Sequence, residues 1–415
     1  MRILVIHRYF WPDTPPYASM LRRIAEHWIA GGHSVQVFST QPSYKVEVEI
    51  ERRPKRERLG ELEVVRCSLL KEKSRNGLLR GINSLLFAFK VFLHIVMQRG
   101  KWDVVMCSTV PPVLMGMASS SGARLTGAKF IYHAMDIWPE VGTVADQLKP
   151  GLVYRMMRWL DTRNCLRASA IVCLSDDMRR SFVSRDSRVA NKIHVINNFD
   201  LPDYSAGSPT YTHQQKTAGK FRVLFAGNIG RYQSLDTVLS AAEILRDHEN
   251  IEFVFVGDGA AKASLQSQAN EKGLLEKSVF FIPHQPVGIA KQLIADADLA
   301  LVSLARGVIK FAYPSKTMTY LAMGCPLAVI VELDSELART VQEQTLGVVV
   351  APGETEKLAN AIVDLSHRAN DLAAMRIRCS EYAKSKSTPE VLLRDWDRLL
   401  ADLEKNDCLN QPRSN

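Results

Sequence analysis

The chain has 415 residues, 46% hydrophobic and 23% charged, with 23 glycines and 18 prolines. That length exceeds one core and suits two domains of roughly 200 residues, and the composition excludes a disordered, collagen-like or disulfide-built chain. The formal charge of +9 is uneven: residues 1–200 carry 30 Lys and Arg against 18 Asp and Glu, and the rest 23 against 26. A uniformly basic nucleic-acid binder is thereby excluded, and only the first half is expected to meet an anionic ligand or surface.

Met1–Ile6 is a short apolar run followed by His7 and Arg8. Lacking a long apolar core and a cleavage signature, it reads as a first strand and not as a signal peptide. In the loop Trp11–Ser19, Pro15 and Pro16 remove N–H donors ahead of Tyr17. Leu21, Ile24, Ala25, Trp28 and Ile29 then share one helical face, closed by Gly31-Gly32, and a strand follows at Val35–Ser39. Strand, helix and strand in that order make a βαβ unit, hence a parallel sheet covered by helices.

Between Arg52 and Lys90 stand eleven Lys and Arg against four Glu, and residues 78–99 are apolar nearly all round a helix. Two readings compete: a buried helix beside a solvated charged loop, or a basic apolar face lying on anionic lipid. The charge surplus of the first half favours the second, a peripheral membrane contact through residues 52–99. No run reaches 18 uninterrupted apolar residues, so no span is expected.

Strands at Val104–Ser108, Phe130–His133 and Ile171–Leu174 continue the sheet. His133 and Asp136 end one of them, with Trp138, Pro139 and Glu140 beyond. An imidazole or carboxylate there could take a proton from an acceptor; equally, Asp136 could cap the next turn. The polar, Pro/Gly/Ser-bearing stretch 201–220 reads as a linker. It separates an N-terminal domain (1–200) from a C-terminal one (221–390). A last segment, 391–415, holds a helix at Val391–Leu403 that returns to the first domain and a frayed tail.

The second domain repeats the pattern, with strands at Arg222–Ala226, Glu252–Val256, Val279–Ile282, Leu299–Ser303 and Leu327–Val331. Helices are expected at Leu235–Asp247, Ala261–Lys272 and Ser315–Met323. Gly227-Asn228-Ile229-Gly230 joins a strand to a helix, where free N–H groups and the helix dipole suit a diphosphate and Arg231 adds charge. Without a ligand the same glycines simply make a tight turn. Pro314-Ser315-Lys316 opens another helix and offers a cation close to one anion pocket. Seven cysteines without a C-x-x-C pair fit a reducing cytosol and no zinc site. Asp296-Ala297-Asp298 has the D-x-D form of a metal-binding pair and lies just ahead of the strand at Leu299–Ser303.

Together these pieces resemble the retaining, family 4 glycosyltransferases of the GT-B architecture, and within them the subgroup that builds bacterial polysaccharides and O-antigens. The resemblance runs from Met1 to about Leu400. It rests on Gly32-His33-Ser34-Val35, Asp136-Ile137-Trp138-Pro139-Glu140, Ile196-Asn197-Asn198-Phe199-Asp200, Gly227-Asn228-Ile229-Gly230 with Gln233, Val256-Gly257-Asp258-Gly259, Pro314-Ser315-Lys316, Tyr320 to Pro326, and Gly347 to Gly353.

The resemblance implies two facing Rossmann-like, doubly wound domains with a cleft between them and no cofactor beyond the nucleotide-sugar substrate. The donor, a UDP-sugar by preference, would lie on Gly227, Asn228, Gly230, Arg231, Gln233, Gly257, His284, Ser315, Lys316 and Thr319. Asp136 and His133 would be the catalytic groups, and Tyr17, Trp138 and Glu140 would meet a lipid-linked or oligosaccharide acceptor. The enzyme would work without metal or nucleic acid, in the cytoplasm at the inner face of the membrane. Three departures matter. Asn228 and Gln233 stand where most members carry an Arg and a Lys, and neutral amides hold phosphate less well. Pro15 to Ser19 replace a glycine pair. Phe311 and Thr319 occupy the places of two glutamates, one of which holds the donor ribose. A catalytically silent homologue that binds a partner or glycan is the alternative these losses support; an epimerase of the same fold is weaker, given the Asp136–Glu140 stretch.

Overall fold

The computed structural model describes residues 1–13, 15–43, 52–71, 77–200, 216 and 219–410. Most of the expected linker, part of the basic stretch, Thr14 and the last five residues lie outside them. The chain forms two compact units, Met1–Asn197 with Leu392–Asn415, and Asn198–Val391. The first break falls just before the expected residue 200, because Asp200 pairs with Lys291 of the second unit at 2.6 Å.

The first unit contains, in order, β1 (Arg2–Ile6), α1 (Pro16–Ala30), β2 (Ser34–Thr40), β3 (Arg56–Leu59), β4 (Leu62–Cys67), α2 (Gly77–Met97), β5 (Val104–Ser108) and α3 (Leu114–Thr126). There follow β6 (Lys129–His133), α4 (Glu140–Val144), α5 (Leu152–Arg167), β7 (Ala170–Cys173), α6 (Asp176–Arg185) and β8 (Ile193–Val195). The strands make one sheet in the order β3-β4-β2-β1-β5-β6-β7-β8, parallel except for the β3–β4 hairpin. That hairpin occupies part of the stretch read from sequence only as a basic loop. Its Arg and Glu residues alternate with Leu and Val, giving β4 one buried face. Arg66 is buried against Glu57 at 2.6 Å, so part of the basic charge is internal.

The second unit contains β9 (Phe221–Ala226), α7 (Leu235–Ile244), β10 (Ile251–Val256), α8 (Lys262–Glu271), β11 (Val279–Ile282), α9 (Val287–Asp296), β12 (Leu299–Ser303) and α10 (Lys316–Ala322). Then come β13 (Leu327–Ile330), α11 (Glu336–Glu343), β14 (Gly347–Val350), α12 (Thr355–Ser366) and α13 (Ala369–Lys386). Its sheet is wholly parallel, β11-β10-β9-β12-β13-β14. Chain direction reverses outward from β9 and β12, the switch point at which open sheets bind ligands beyond the strands' carboxyl ends. Buried on both faces, β9, β10 and β12 are continuous Val, Leu, Ile and Phe runs interrupted mainly by a paired Arg222–Glu252.

A final helix, α14 (Pro389–Asn410), supplies Trp396, packed edge-on against Trp28 at 5.6 Å, so from Leu392 the chain counts with the first unit. It continues to Asn410, past the expected fraying at Glu404. By length and composition alone α2 passes for a membrane-crossing helix, as a core helix of a soluble protein also can. Its inner face nevertheless packs: Phe87 stacks on Phe38 at 6.2 Å, and Ile95 fills the space a β-carbon on Gly122 would need.

Candidate functional site

In the second unit the carboxyl end of β9 opens directly into Gly227, whose φ of 138° is a conformation that glycine alone adopts without strain. Gly257, at the end of β10, takes φ 135°, and a β-carbon on it would overlap the Gly227 carbonyl. The two loops are stitched further by the Ile229 N–H donating to Asp258 O and the Ala261 N–H to Ile229 O, at 2.9 and 3.0 Å. Gly257 thus serves close backbone packing, and Gly227 the loop's shape. Gly227 and Asn228 are exposed, as is Arg231.

Lys316 is the centre of this edge. Its ammonium is buried without a hydrogen-bond partner, 3.5 Å from the centroid of the Phe225 ring. The same nitrogen lies 3.6 Å from where a β-carbon on Gly227 would stand. Burial pushes it down from the ordinary lysine range to about 7. Four residues on, one turn along the same helical face, the Tyr320 hydroxyl donates to Ala226 O and accepts from Ala226 N–H, at 3.0 and 2.8 Å, fixing α10 to the end of β9. Thr319 is buried as well, its hydroxyl without a partner. A cation held against an aromatic ring beside an exposed glycine turn, with no counter-ion among the described residues, can receive an anion from solution.

Several sequence expectations need correcting here. Gly230 leads into a short 3-10 turn, Arg231–Gln233, before α7 begins, so no α-helix starts at the loop itself. The Gln233 side chain accepts the Gly230 N–H at 2.9 Å and is spent on that turn. Ser315 is already helical in its backbone and caps nothing, and α10 has only seven residues, so charge at Lys316 carries more weight than a helix end. His284 is exposed, and its backbone N–H reaches the Asp258 carboxylate at 3.3 Å. Asp298 is bonded by the Arg222 N–H at 2.7 Å and the Lys216 ammonium at 2.5 Å, at the amino end of β12. Phe311 follows a 3-10 turn, Val308–Lys310, with its side chain half-buried.

In the first unit, the carboxyl ends of β1, β5 and β6 bring together His7, Ser108 and His133. His7 Nδ1 bonds the Ser108 hydroxyl. The Tyr17 hydroxyl bonds His133 Nδ1 at 2.8 Å, and the His133 ring meets Trp396 edge-on at 4.9 Å. Burial pushes both imidazoles down to about 3, so they are neutral at physiological pH. His133 is 3% exposed, and its Nε2 has no partner. It is a neutral, enclosed imidazole, and Tyr17 lies in the first turn of α1 as a buried strut for it. The prolines there start a helix (Pro16 is its first residue), which places Tyr17 inside and not on an open loop.

Asp136 differs from its neighbours. Its carboxylate has no ion pair or hydrogen bond among the described residues, it is half-buried, and burial raises it to about 6. Glu140, expected at an acceptor, is instead held by the buried Arg185 and by Arg158, the latter at 3.2 Å. Arg185 also bonds Asp161 at 2.5 Å and the Trp138 carbonyl at 3.0 Å. Trp138 packs on Gly142, where a β-carbon would strike its ring. Arg185 thus anchors the 138–140 segment, leaving Asp136 as the carboxylate with free capacity. His7, Ser108, Tyr320, Arg185 and Trp396 escaped the sequence reading. Only His7, directly after a strand, and Tyr320, four residues from Lys316, carried a usable signal.

Two family models match the chain: "Glycosyl transferase 4-like domain" over residues 17–198 and "Glycosyl transferases group 1" over 220–368. The chain is 26% identical to a putative colanic acid biosynthesis glycosyl transferase of Escherichia coli, across 95% of this chain and 98% of that one. Among solved structures it resembles sucrose-phosphate synthase from Thermosynechococcus elongatus (TM-score 0.74, 15% identity, 98% and 99% covered). It also resembles Anabaena HepE in complex with UDP (TM-score 0.69, 16% identity, 97% and 100% covered).

Proposed function

The chain belongs to the family 4-type glycosyltransferases of the GT-B architecture, and from that premise we propose that it transfers a sugar from a UDP-sugar, with retention, to a lipid-linked or oligosaccharide acceptor in cell-surface polysaccharide synthesis. The observation that carries the donor assignment is Lys316, a buried ammonium without counter-ion beside the Gly227 turn. The diphosphate takes that place and turns the lysine fully cationic. As the glycosidic oxygen leaves, charge develops on the diphosphate, and Lys316 stabilises it. Asp136, raised and unpaired, accepts the acceptor's hydroxyl proton.

No metal is needed in this scheme: the charge is met by Lys316, and Asp298 of the D-x-D sequence is occupied by Arg222 and Lys216. The E. coli relative's part in colanic acid synthesis and the UDP bound to HepE support the substrate classes. Of the two glutamates whose places Phe311 and Thr319 take, one would hold the donor ribose; their loss leaves the Lys316 ammonium in place. We place the reaction at the cytoplasmic side of the membrane, reached through residues 52–99. On α2, Leu78, Ile82, Leu85, Phe89, Leu93 and Met97 form an exposed apolar stripe.

Calorimetric titration of the wild type and Lys316→Ala with UDP and GDP tests the donor site. Micromolar binding of UDP, weakened by the substitution, supports it. Absence of binding by either nucleotide at millimolar concentration refutes it and favours the silent homologue.

A further inference from the structure

We propose that the first two turns of α5 form a second footing on an anionic lipid bilayer, one that brings the bilayer to the sheet edge bearing Asp136. Leu152 is 81% exposed, and Val153, Met156 and Trp159 are each more than half exposed. Leu152, Met156, Trp159 and Arg163 fall at i, i+4, i+7 and i+11, a single helical face. Asp161, Asn164 and Cys165 are the buried residues and lie opposite. A helix whose outward face is its apolar one is awaiting something to cover it.

The charges say what. Arg155, Arg158, Arg163 and Arg167 lie on this helix, and its one acid, Asp161, is turned inward and bound by Tyr132 and Arg185. The Arg163 guanidinium lies over the Trp159 ring at 4.9 Å. Apolar side chains with a tryptophan in the middle and cations along the flank suit the headgroup boundary, where rings sit at the interface and arginines reach for lipid phosphate. α3 packs against both α5 and α2, so the new face and the α2 stripe share one layer of helices.

Position gives the face its meaning. α5 runs back along the sheet into β7, so its first turns stand at the carboxyl edge, where β6 ends at His133 and Asp136 follows. Arg158 ties this part of α5 directly to Glu140, four residues beyond Asp136. The α2 stripe, spread along a whole helix, does not select an edge. The α5 face does, and it selects the one from which a lipid-borne hydroxyl reaches Asp136. That last step rests on the glycosyltransferase reading; the lipid contact itself does not.

The test is co-sedimentation of the full chain with phosphatidylcholine vesicles, with and without one quarter phosphatidylglycerol. It compares the wild type with Met156→Glu/Trp159→Glu and Leu85→Glu/Phe89→Glu, with a UDP titration of each. The α5 pair is expected to lower partitioning onto the anionic vesicles at least about tenfold with UDP binding unchanged. Brominated lipids are expected to quench wild-type tryptophan emission by an amount that Trp159→Phe abolishes. The proposal fails if the α5 pair sediments like the wild type, if neutral vesicles bind equally well, or if the wild type binds neither. It also fails if the α5 pair dissolves a dimer seen in sedimentation velocity, which would make the face a contact between copies. Unchanged UDP binding separates each of these failures from a failure of the donor site.

Discussion

Lys316 Nζ stands 3.5 Å from the centroid of the Phe225 ring with no other partner, a cation held by an aromatic face at the mouth of the Gly227 turn. Burial lowers it to about 7, so near neutrality it is half charged when the site is empty. A diphosphate favours the charged form and raises it again. Binding should therefore take up about one proton at pH 8 and close to none at pH 6. Affinity should fall by up to about tenfold for each pH unit above 7. Calorimetry in buffers of different ionisation enthalpy reads the uptake directly. Lys316→Ala should lose it and bind UDP about 10- to 100-fold more weakly, the worth of a charge-assisted hydrogen bond.

As the proposed base, Asp136 should set the opposite limb. Its carboxyl, raised to about 6 by burial, is a base only above that pH. Wild-type kcat/KM should drop about tenfold per unit below pH 6. Asp136→Asn should cost about 10²–10⁴ in kcat, flatten that limb and leave UDP affinity unchanged. A variant that keeps the acid limb would assign it to another group.

Glu140 serves the fold. It shares the buried Arg185 with Asp161, so its removal costs a charge-assisted hydrogen bond while Arg185 keeps one carboxylate. Glu140→Ala should lower unfolding stability by about 2 kcal/mol in a urea titration. Glu140→Gln should lose less, since an amide oxygen still accepts a hydrogen bond from Arg185. If Glu140→Gln keeps full stability yet cannot use acceptor, the side chain meets acceptor after all.

The alternation of Val- and Ile-rich strands with amphipathic helices made both parallel sheets legible, because strands buried on both faces have no other reading than continuous apolar runs. The β3–β4 hairpin was not legible: its Arg and Glu residues look like a solvated loop until Arg66 is seen to fold inward onto Glu57. Lys316 was legible as a cation at a helix start, but its lack of a partner was not, since burial depends on Phe225 from another strand. His133 misled for the same reason. Its place at the end of a strand suggests an open edge, and only the return of Trp396 from α14 shows it enclosed. The outward apolar face of α5 was not legible either, since nothing local tells an inward stripe from an outward one.

Thr319 offers the sharpest test of how the donor edge differs from the family pattern. It occupies the place of a glutamate, it is buried, and it lies three residues from Lys316 on one face of α10. A carboxylate there would find Lys316 before it found a ribose, because two opposite charges side by side in a low-dielectric pocket attract strongly. Thr319→Glu should therefore pair with Lys316, hold it protonated through pH 8 and fill the anion site from within. Proton uptake on UDP binding should vanish, and affinity should fall about as far as in Lys316→Ala. The double variant Lys316→Ala/Thr319→Glu should bind more weakly than either single change, because the carboxylate then lacks its lysine and stands as an uncompensated charge in the anion site. If Thr319→Glu instead binds UDP more tightly, its carboxylate reaches the ribose and Lys316 faces away from it.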